Sequence, residues 1–146
     1  MTLPTRDEIN VFDSLDERVA CRNFLGKTLN DAEALFRDNA LFFSEDLMWM
    51  GPVAFGFYVP AYISYLESDA ANHDADAVNC FLGVLQYRVE HYASDLIPIA
   101  AQLAAACRYV LDHYDKFEFI LEIDGDLHHR LLSLEKKLQE LTHTGG

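Results

Sequence analysis

Three segments in the second half of the chain place apolar residues at alternating intervals of three and four, which is the period of an α-helix. The first runs from Val78 to Tyr92, the second from Leu96 to Leu121, and the third from Leu127 to Leu141. Each segment predicts a helix with one apolar face. Helices of this kind pack side by side in a bundle.

The first half of the chain predicts shorter helices, because residues that favour helix starts recur there. Thr5 is a candidate N-cap for a helix that ends near Leu15. Asn30, with Glu33 three residues later, predicts a capping box. Ser44 repeats the start signal once more.

Together these patterns predict an all-α fold, a compact helical bundle of about five to seven helices. We expect a single domain over residues 1–146, with 142–146 as a flexible tail. One stretch is ambiguous, since residues 117–123 also alternate apolar and polar positions, as a short strand would. We interpret that stretch as the end of a helix.

A stripe of aromatic residues follows the Gly51-Pro52 break. Phe55, Tyr58, Tyr62 and Tyr65 recur at helical spacing and therefore share one face. Such a stripe forms either part of the core or the floor of a groove for a partner. The core is the more usual of the two.

The charge of the chain narrows the choice of partner. There are 24 Asp and Glu against 11 Lys and Arg, a formal net charge of −13. This charge argues against DNA or RNA, whose phosphates a protein must attract. It favours either a basic protein partner or a solvated surface that keeps the chain soluble. Because no Lys or Arg lies between Arg37 and Arg88, one negative face is expected.

Cysteine usage and hydropathy indicate the compartment. The three cysteines, Cys21, Cys80 and Cys107, are odd in number and far apart, so we expect reduced and mostly buried thiols. The N-terminus lacks the basic start and apolar run of a signal peptide, and no apolar run reaches the ~20 residues that cross a bilayer. The sequence predicts a cytoplasmic protein with no membrane association.

Two short motifs imitate ligand sites without their essential residues. Gly26-Lys-Thr28 ends like a phosphate-binding loop but lacks the earlier glycine, so we interpret Gly26 as a helix-ending residue. Residues 124–135 imitate a calcium loop, yet His129 occupies the position of the sharp-turn glycine. No catalytic residue, cofactor or metal ligand is predicted. An enzyme would need an active site assembled from distant residues.

Residues 22–66 carry a block of recognisable runs, among them Asn23-Phe-Leu-Gly-Lys-Thr28, Glu45-Asp-Leu-Met48, Ala54-Phe55 and Ala61-Tyr62. The block resembles one found in small uncharacterised bacterial proteins. It is similar in style to small acidic immunity proteins encoded beside polymorphic toxins. The resemblance implies a bacterial cytosolic helical protein whose acidic surface plugs a toxin, and it implies no catalytic residue.

The first functional hypothesis is therefore a non-enzymatic protein that binds a basic partner, such as a toxin, through acidic steering groups and aromatic anchors. The candidate partner-binding residues are Glu45, Asp46, Trp49, Tyr58, Tyr62 and Tyr65. The alternative is a structural or regulatory homodimer that uses the leucine seam from Leu127 to Leu141. The third hypothesis is an enzyme whose active site is assembled from residues that are distant in the sequence.

Overall fold

The computed structural model describes residues 2–120 and 125–144. The α-helices are α1 Arg6–Ile9, α2 Leu15–Phe24, α3 Leu29–Trp49, α4 Pro52–Glu67, α5 Ala75–Tyr92, α6 Ala100–Asp112 and α7 Leu127–Thr144. Short 3₁₀ helices cover Asp69–Ala71, Ala93–Ile99 and Tyr114–Phe117. Within the described residues there is no strand, and the predicted all-α fold of five to seven helices is confirmed.

The chain divides into two compact parts, which we call the N-terminal part, Met1–Tyr65, and the C-terminal part, Leu66–Gly146. The single domain over residues 1–146 stays a prediction. No helix in the described ranges combines the length and apolar character needed to cross a lipid bilayer.

Helix α1 begins as predicted but is much shorter than predicted. Thr5 caps it through a capping box with Glu8, whose carboxylate accepts the Thr5 N–H at 2.8 Å. The helix ends at Ile9 instead of near Leu15, and Asp13, between α1 and α2, has a positive φ of 58°. A left-handed residue cannot continue a right-handed helix, so a new helix must start after it.

Two predicted helix starts in α3 are wrong in position. The capping box consists of Thr28 and Asp31, because the Asp31 carboxylate accepts the Thr28 N–H at 3.0 Å. No separate helix starts at Ser44. Instead, α3 is one helix with a kink at Asn39, where φ is −157°. The Asn39 side chain accepts the N–H of Phe42 at 3.1 Å and so restarts the helix. Ser44 lies buried inside the helix and does not cap it.

The leucine seam of α7 forms part of the core of the C-terminal part. Leu127, Leu131, Leu134 and Leu138 are buried, and α7 packs against α6 and α5. A bidentate ion pair joins Arg108 of α6 to Glu135 of α7, with N–O distances of 2.6 and 2.9 Å. A homodimer built on this seam would have to displace α6, so the seam does not provide the predicted dimer surface. A homodimer through another surface stays a prediction.

The second periodic segment breaks into shorter pieces than predicted. Its helix α6 starts only at Ala100 because a 3₁₀ helix containing Pro98 precedes it, and it ends at Asp112. The expected helix end over 117–123 is wrong in its described portion, since Glu118 has a left-handed φ of 53° and residues 118–120 are neither helix nor strand. Residues 121–124 lie outside the described residues.

The hydrogen bonds of Lys116 explain why the chain does not continue as an α-helix after α6. Its ammonium group donates to the Leu66 carbonyl at 2.7 Å and to the Tyr109 hydroxyl at 2.8 Å, while its own carbonyl accepts the His73 N–H at 2.9 Å. These bonds tie Tyr114–Phe117 to the start of the C-terminal part. At the other end of the chain, α7 continues to Thr144, so 142–144 are helical instead of a flexible tail. Residues 145–146 lie outside the described residues.

Candidate protein-binding cleft

Glu17 fixes the turn that leads into α2. Its buried carboxylate accepts backbone N–H groups of Val11 at 2.8 Å, Phe12 at 3.0 Å and Ser14 at 3.1 Å. Burial raises the pKa of Glu17, but these hydrogen bonds outweigh it and hold the pKa below its ordinary value. The start of α2 is therefore firmly held, together with the side chains that it presents to α3.

A cleft of about 260 Å³ is lined by residues of α2 and α3 in the N-terminal part. We call it the acidic cleft, and its lining residues are Asp16, Val19, Phe42, Glu45, Asp46 and Trp49. The α3 residues are spaced by three, four and seven positions, so they share one face of that helix. Half of the lining side chains are carboxylates and half are apolar.

The apolar wall of the acidic cleft is open to solvent. Phe42 is 56% exposed and Trp49 is 36% exposed. Of the eleven large hydrophobic residues that are exposed in the described ranges, eight lie in the N-terminal part: Val11, Phe12, Leu15, Leu25, Leu41, Phe42, Trp49 and Val53. Phe42 and Trp49 are the two of these that lie together beside the cleft carboxylates, and an exposed apolar surface with polar groups around it is typical of protein interaction sites.

Asp46 gives the acidic cleft an unusual charge. Its side chain is only 4% exposed, and the Asn23 amide donates to one carboxylate oxygen at 2.8 Å. Burial raises the pKa of Asp46 to about 6; the Asn23 hydrogen bond opposes this, and the negative charges of Glu45 and Asp16 add to it. The cleft therefore becomes more negative as the pH rises through about 6.

The structure brings together three of the predicted site residues. Glu45, Asp46 and Trp49 all line the acidic cleft. The other three lining residues, Asp16, Val19 and Phe42, were not predicted from the sequence. Phe42 lies three residues before Glu45, so helical spacing could have revealed it. Asp16 and Val19 belong to a different helix, and only the packing of α2 against α3 brings them there.

The three tyrosines that were predicted to anchor a partner lie in the core instead. Tyr58, Tyr62 and Tyr65 are buried, so they present no surface to a partner. The Tyr58 ring packs on Phe24 with centroids 5.0 Å apart, and the Tyr62 ring packs on Phe36 at 4.9 Å. The aromatic stripe is core, which was the more usual of its two interpretations in the sequence.

The Tyr58 hydroxyl explains why a polar ring tip belongs in that core. It lies 2.8 Å from the carbonyl oxygens of both Phe24 and Lys27 at the end of α2. The Phe24 carbonyl also accepts the Lys27 N–H at 3.0 Å, so the Tyr58 hydroxyl adds a side-chain hydrogen bond to the turn that follows α2. Gly26 follows with a positive φ of 80°, which confirms its predicted role as a helix-ending residue.

The chemistry available in the acidic cleft is recognition of cations. Within the described ranges no group of three or more His, Cys, Asp or Glu is arranged to hold a metal ion. The fold and the cleft together define an all-α protein with an acidic, aromatic-walled surface. Comparison with known protein families, with curated proteins and with solved structures found no match. The resemblance to immunity proteins therefore stays a prediction.

Proposed function

We propose that this chain is a non-enzymatic binding protein whose acidic cleft receives a basic segment of a partner protein. The observation that carries the proposal is the mixed lining of the cleft, in which carboxylates stand beside exposed aromatic rings. A lysine or arginine side chain fits both halves. Its charged end pairs with carboxylates, and its flat or aliphatic part packs on an aromatic ring.

Each wall of the acidic cleft has a separate task in this proposal. Asp16 and Glu45 are exposed and supply long-range attraction, which speeds encounter with a basic partner. Phe42 and Trp49 supply apolar area that becomes buried on binding, and aromatic residues of this kind dominate the energetics of interfaces. Asp46 lies deeper and offers its charge only to a group that reaches the base of the cleft.

The most concrete form of the proposal is an immunity protein that neutralises a basic toxin in the bacterial cytoplasm. The net charge of −13 supports it, because an acidic inhibitor associates quickly with a basic target. Buried Cys21 and Cys107 suit a reducing compartment.

Affinity capture from a lysate of the source organism tests this function. We expect the tagged protein to retain one basic protein at low salt and less of it at high salt. A Phe42→Ala, Trp49→Ala double variant should bind that protein roughly thirtyfold or more weakly, because central aromatic anchors contribute most of the binding free energy. The captured protein, once identified, is titrated in purified form to measure the change.

Phe12→Ala provides the matched control. Phe12 is 79% exposed in the same part of the chain but does not line the acidic cleft. Its truncation should leave the affinity within about twofold, as expected outside a binding centre. The proposal is overturned if the control and the cleft variant lose binding equally, or if neither variant changes the capture of the partner. Either result would place the partner surface elsewhere.

A further inference from the structure

A second concave surface of the N-terminal part is lined by arginines. It is an open concavity of about 520 Å³, and its lining residues are Arg6, Asn10, Arg18, Cys21, Arg22 and Leu25. We call it the arginine pocket. Residues 1–65 contain only five Lys and Arg, and three of them line this one surface, whose described lining contains no carboxylate. In a chain with a net charge of −13, such a concentration of cations is unexpected.

The three guanidinium groups differ in how they are paired. Arg18 forms two hydrogen bonds of 2.9 Å with the Asp13 carboxylate, which holds its side chain in place. The same bonds lower the pKa of Asp13 to about 2, with the Arg18 hydrogen bond as the largest cause. Among the described residues, Arg6 and Arg22 have no carboxylate within 4.0 Å. Two positive charges of the pocket are therefore available to a ligand.

The positions of Arg6 and Arg22 are set by the fold and not by ion pairs. Arg6 opens α1, which the Thr5–Glu8 capping box holds. Arg22 lies in the last turn of α2, one residue after buried Cys21. Because both residues belong to helices, their backbones already place the two side chains at one cavity, and binding does not require a loop to fold.

Arginine pairs with planar or tetrahedral oxyanions through two parallel N–H donors, which makes it the preferred cation for phosphate and carboxylate groups. The volume of the arginine pocket falls in the roughly 300–1,000 Å³ range of small-molecule sites, so it exceeds what a lone ion would fill. We propose that the arginine pocket binds a small molecule that carries a dianionic group, either a phosphate or a pair of carboxylates. This binding is separate from the acidic cleft and does not depend on its function.

Titration followed by the NMR signals of the arginine side-chain Nε–H groups tests the site directly. Pyrophosphate and glutarate serve as probes, with ionic strength held constant by sodium chloride. We expect saturable shifts of the Arg6 and Arg22 signals with a Kd on the order of 1 mM, as two charge-assisted contacts at an open site would give. The probe that binds more tightly identifies the group as phosphate or carboxylate.

Two variants and one control accompany the titration. An Arg6→Gln, Arg22→Gln double variant should weaken binding roughly tenfold or more, because each lost contact is charge-assisted. Leu25→Glu keeps every arginine but adds a carboxylate to the lining, and it should also abolish saturation. Arg37→Gln should change nothing, since Arg37 pairs with Glu33 at 2.7 Å and does not line the pocket.

The proposal is overturned if neither probe gives saturable shifts at constant ionic strength. It is equally overturned if saturation persists unchanged in both pocket variants. The variants replace exposed side chains at Arg6 and Arg22, so their folded spectra can be compared signal by signal with the natural protein.

Discussion

Replacing Asp46 with asparagine is expected to stabilise the protein at neutral pH by about 1–3 kcal/mol. Burial raises the pKa of Asp46 in the folded chain to about 6, against an ordinary value of 3.8. Between these two values the folded state holds a proton that the unfolded state has lost. The free energy of unfolding therefore falls as the pH rises through this window, and it stays lower above it.

Asparagine has the same shape, keeps an oxygen for the Asn23 amide and carries no charge to desolvate. Urea denaturation at about pH 4 and about pH 7 measures the effect. We expect the natural protein to lose stability between these two values relative to Asp46→Asn. Glu45→Gln, an exposed neighbour in the same cleft, is the control and should differ from the natural protein by no more than about 0.5 kcal/mol.

An Asp46→Asn variant that is less stable at neutral pH, or that keeps the full pH dependence of the natural protein, would contradict the assigned pKa.

The expected gain in stability of Asp46→Asn also bears on function. A carboxylate that lowers stability while lining an open cleft is typical of a residue retained for binding. The same variant should therefore bind a basic partner less tightly although it unfolds less readily.

Leu134→Asp is expected to unfold the C-terminal part, with a loss of more than about 4 kcal/mol. Leu134 is buried on the face of α7 that packs against α6 and α5, so the new carboxylate would lose its hydration in the folded state. If the leucine seam were instead a dimer surface, the variant would remain folded and only its mass in solution would fall.

Circular dichroism with sedimentation separates these outcomes. Leu132→Asp is the matched control, because Leu132 lies on the same helix but is 40% exposed. It should change the free energy of unfolding by no more than about 1 kcal/mol. A folded Leu134→Asp monomer as stable as the natural protein would contradict the intramolecular packing of α7.

The periodic segments show what sequence alone can determine in this chain. Helices α5 and α7 cover the segments predicted for them because no proline and no left-handed residue interrupts their apolar repeats, in contrast to the segment that contains Pro98 and Glu118. Helix starts were less certain, since Thr28 and Asn30 are both good capping residues. Thr28 with Asp31 fits the Ser/Thr-x-x-Asp/Glu pattern of a capping box just as Asn30 with Glu33 resembles it, so the sequence offered two competing starts and the structure shows the first.

The acidic cleft was predictable only on one of its two sides. Glu45, Asp46 and Trp49 are close in sequence, so their shared helix face follows from spacing. Asp16 and the arginine pocket depend on how separate helices pack, which spacing does not encode. The tyrosine stripe shows another limit of sequence analysis. Tyr58 and Tyr62 have the same helical spacing whether they line a groove or pack in the core, and only the fold shows that they are buried.

The most direct test of the central claim is the rate of association with the captured partner as a function of ionic strength. The natural protein is compared with an Asp16→Lys, Glu45→Lys double variant and with a control pair, Asp69→Lys and Asp76→Lys. Both control residues are exposed acids of the C-terminal part, and both variants change the net charge equally.

We predict that the association rate of the natural protein falls steeply with salt. The cleft variant should associate roughly tenfold more slowly at low salt and with a flatter salt dependence. The control pair should stay within about threefold of the natural rate, because its charges lie outside the cleft. An association rate that does not change with ionic strength, or an equal slowing in both variants, would contradict recognition of a basic partner by the acidic cleft.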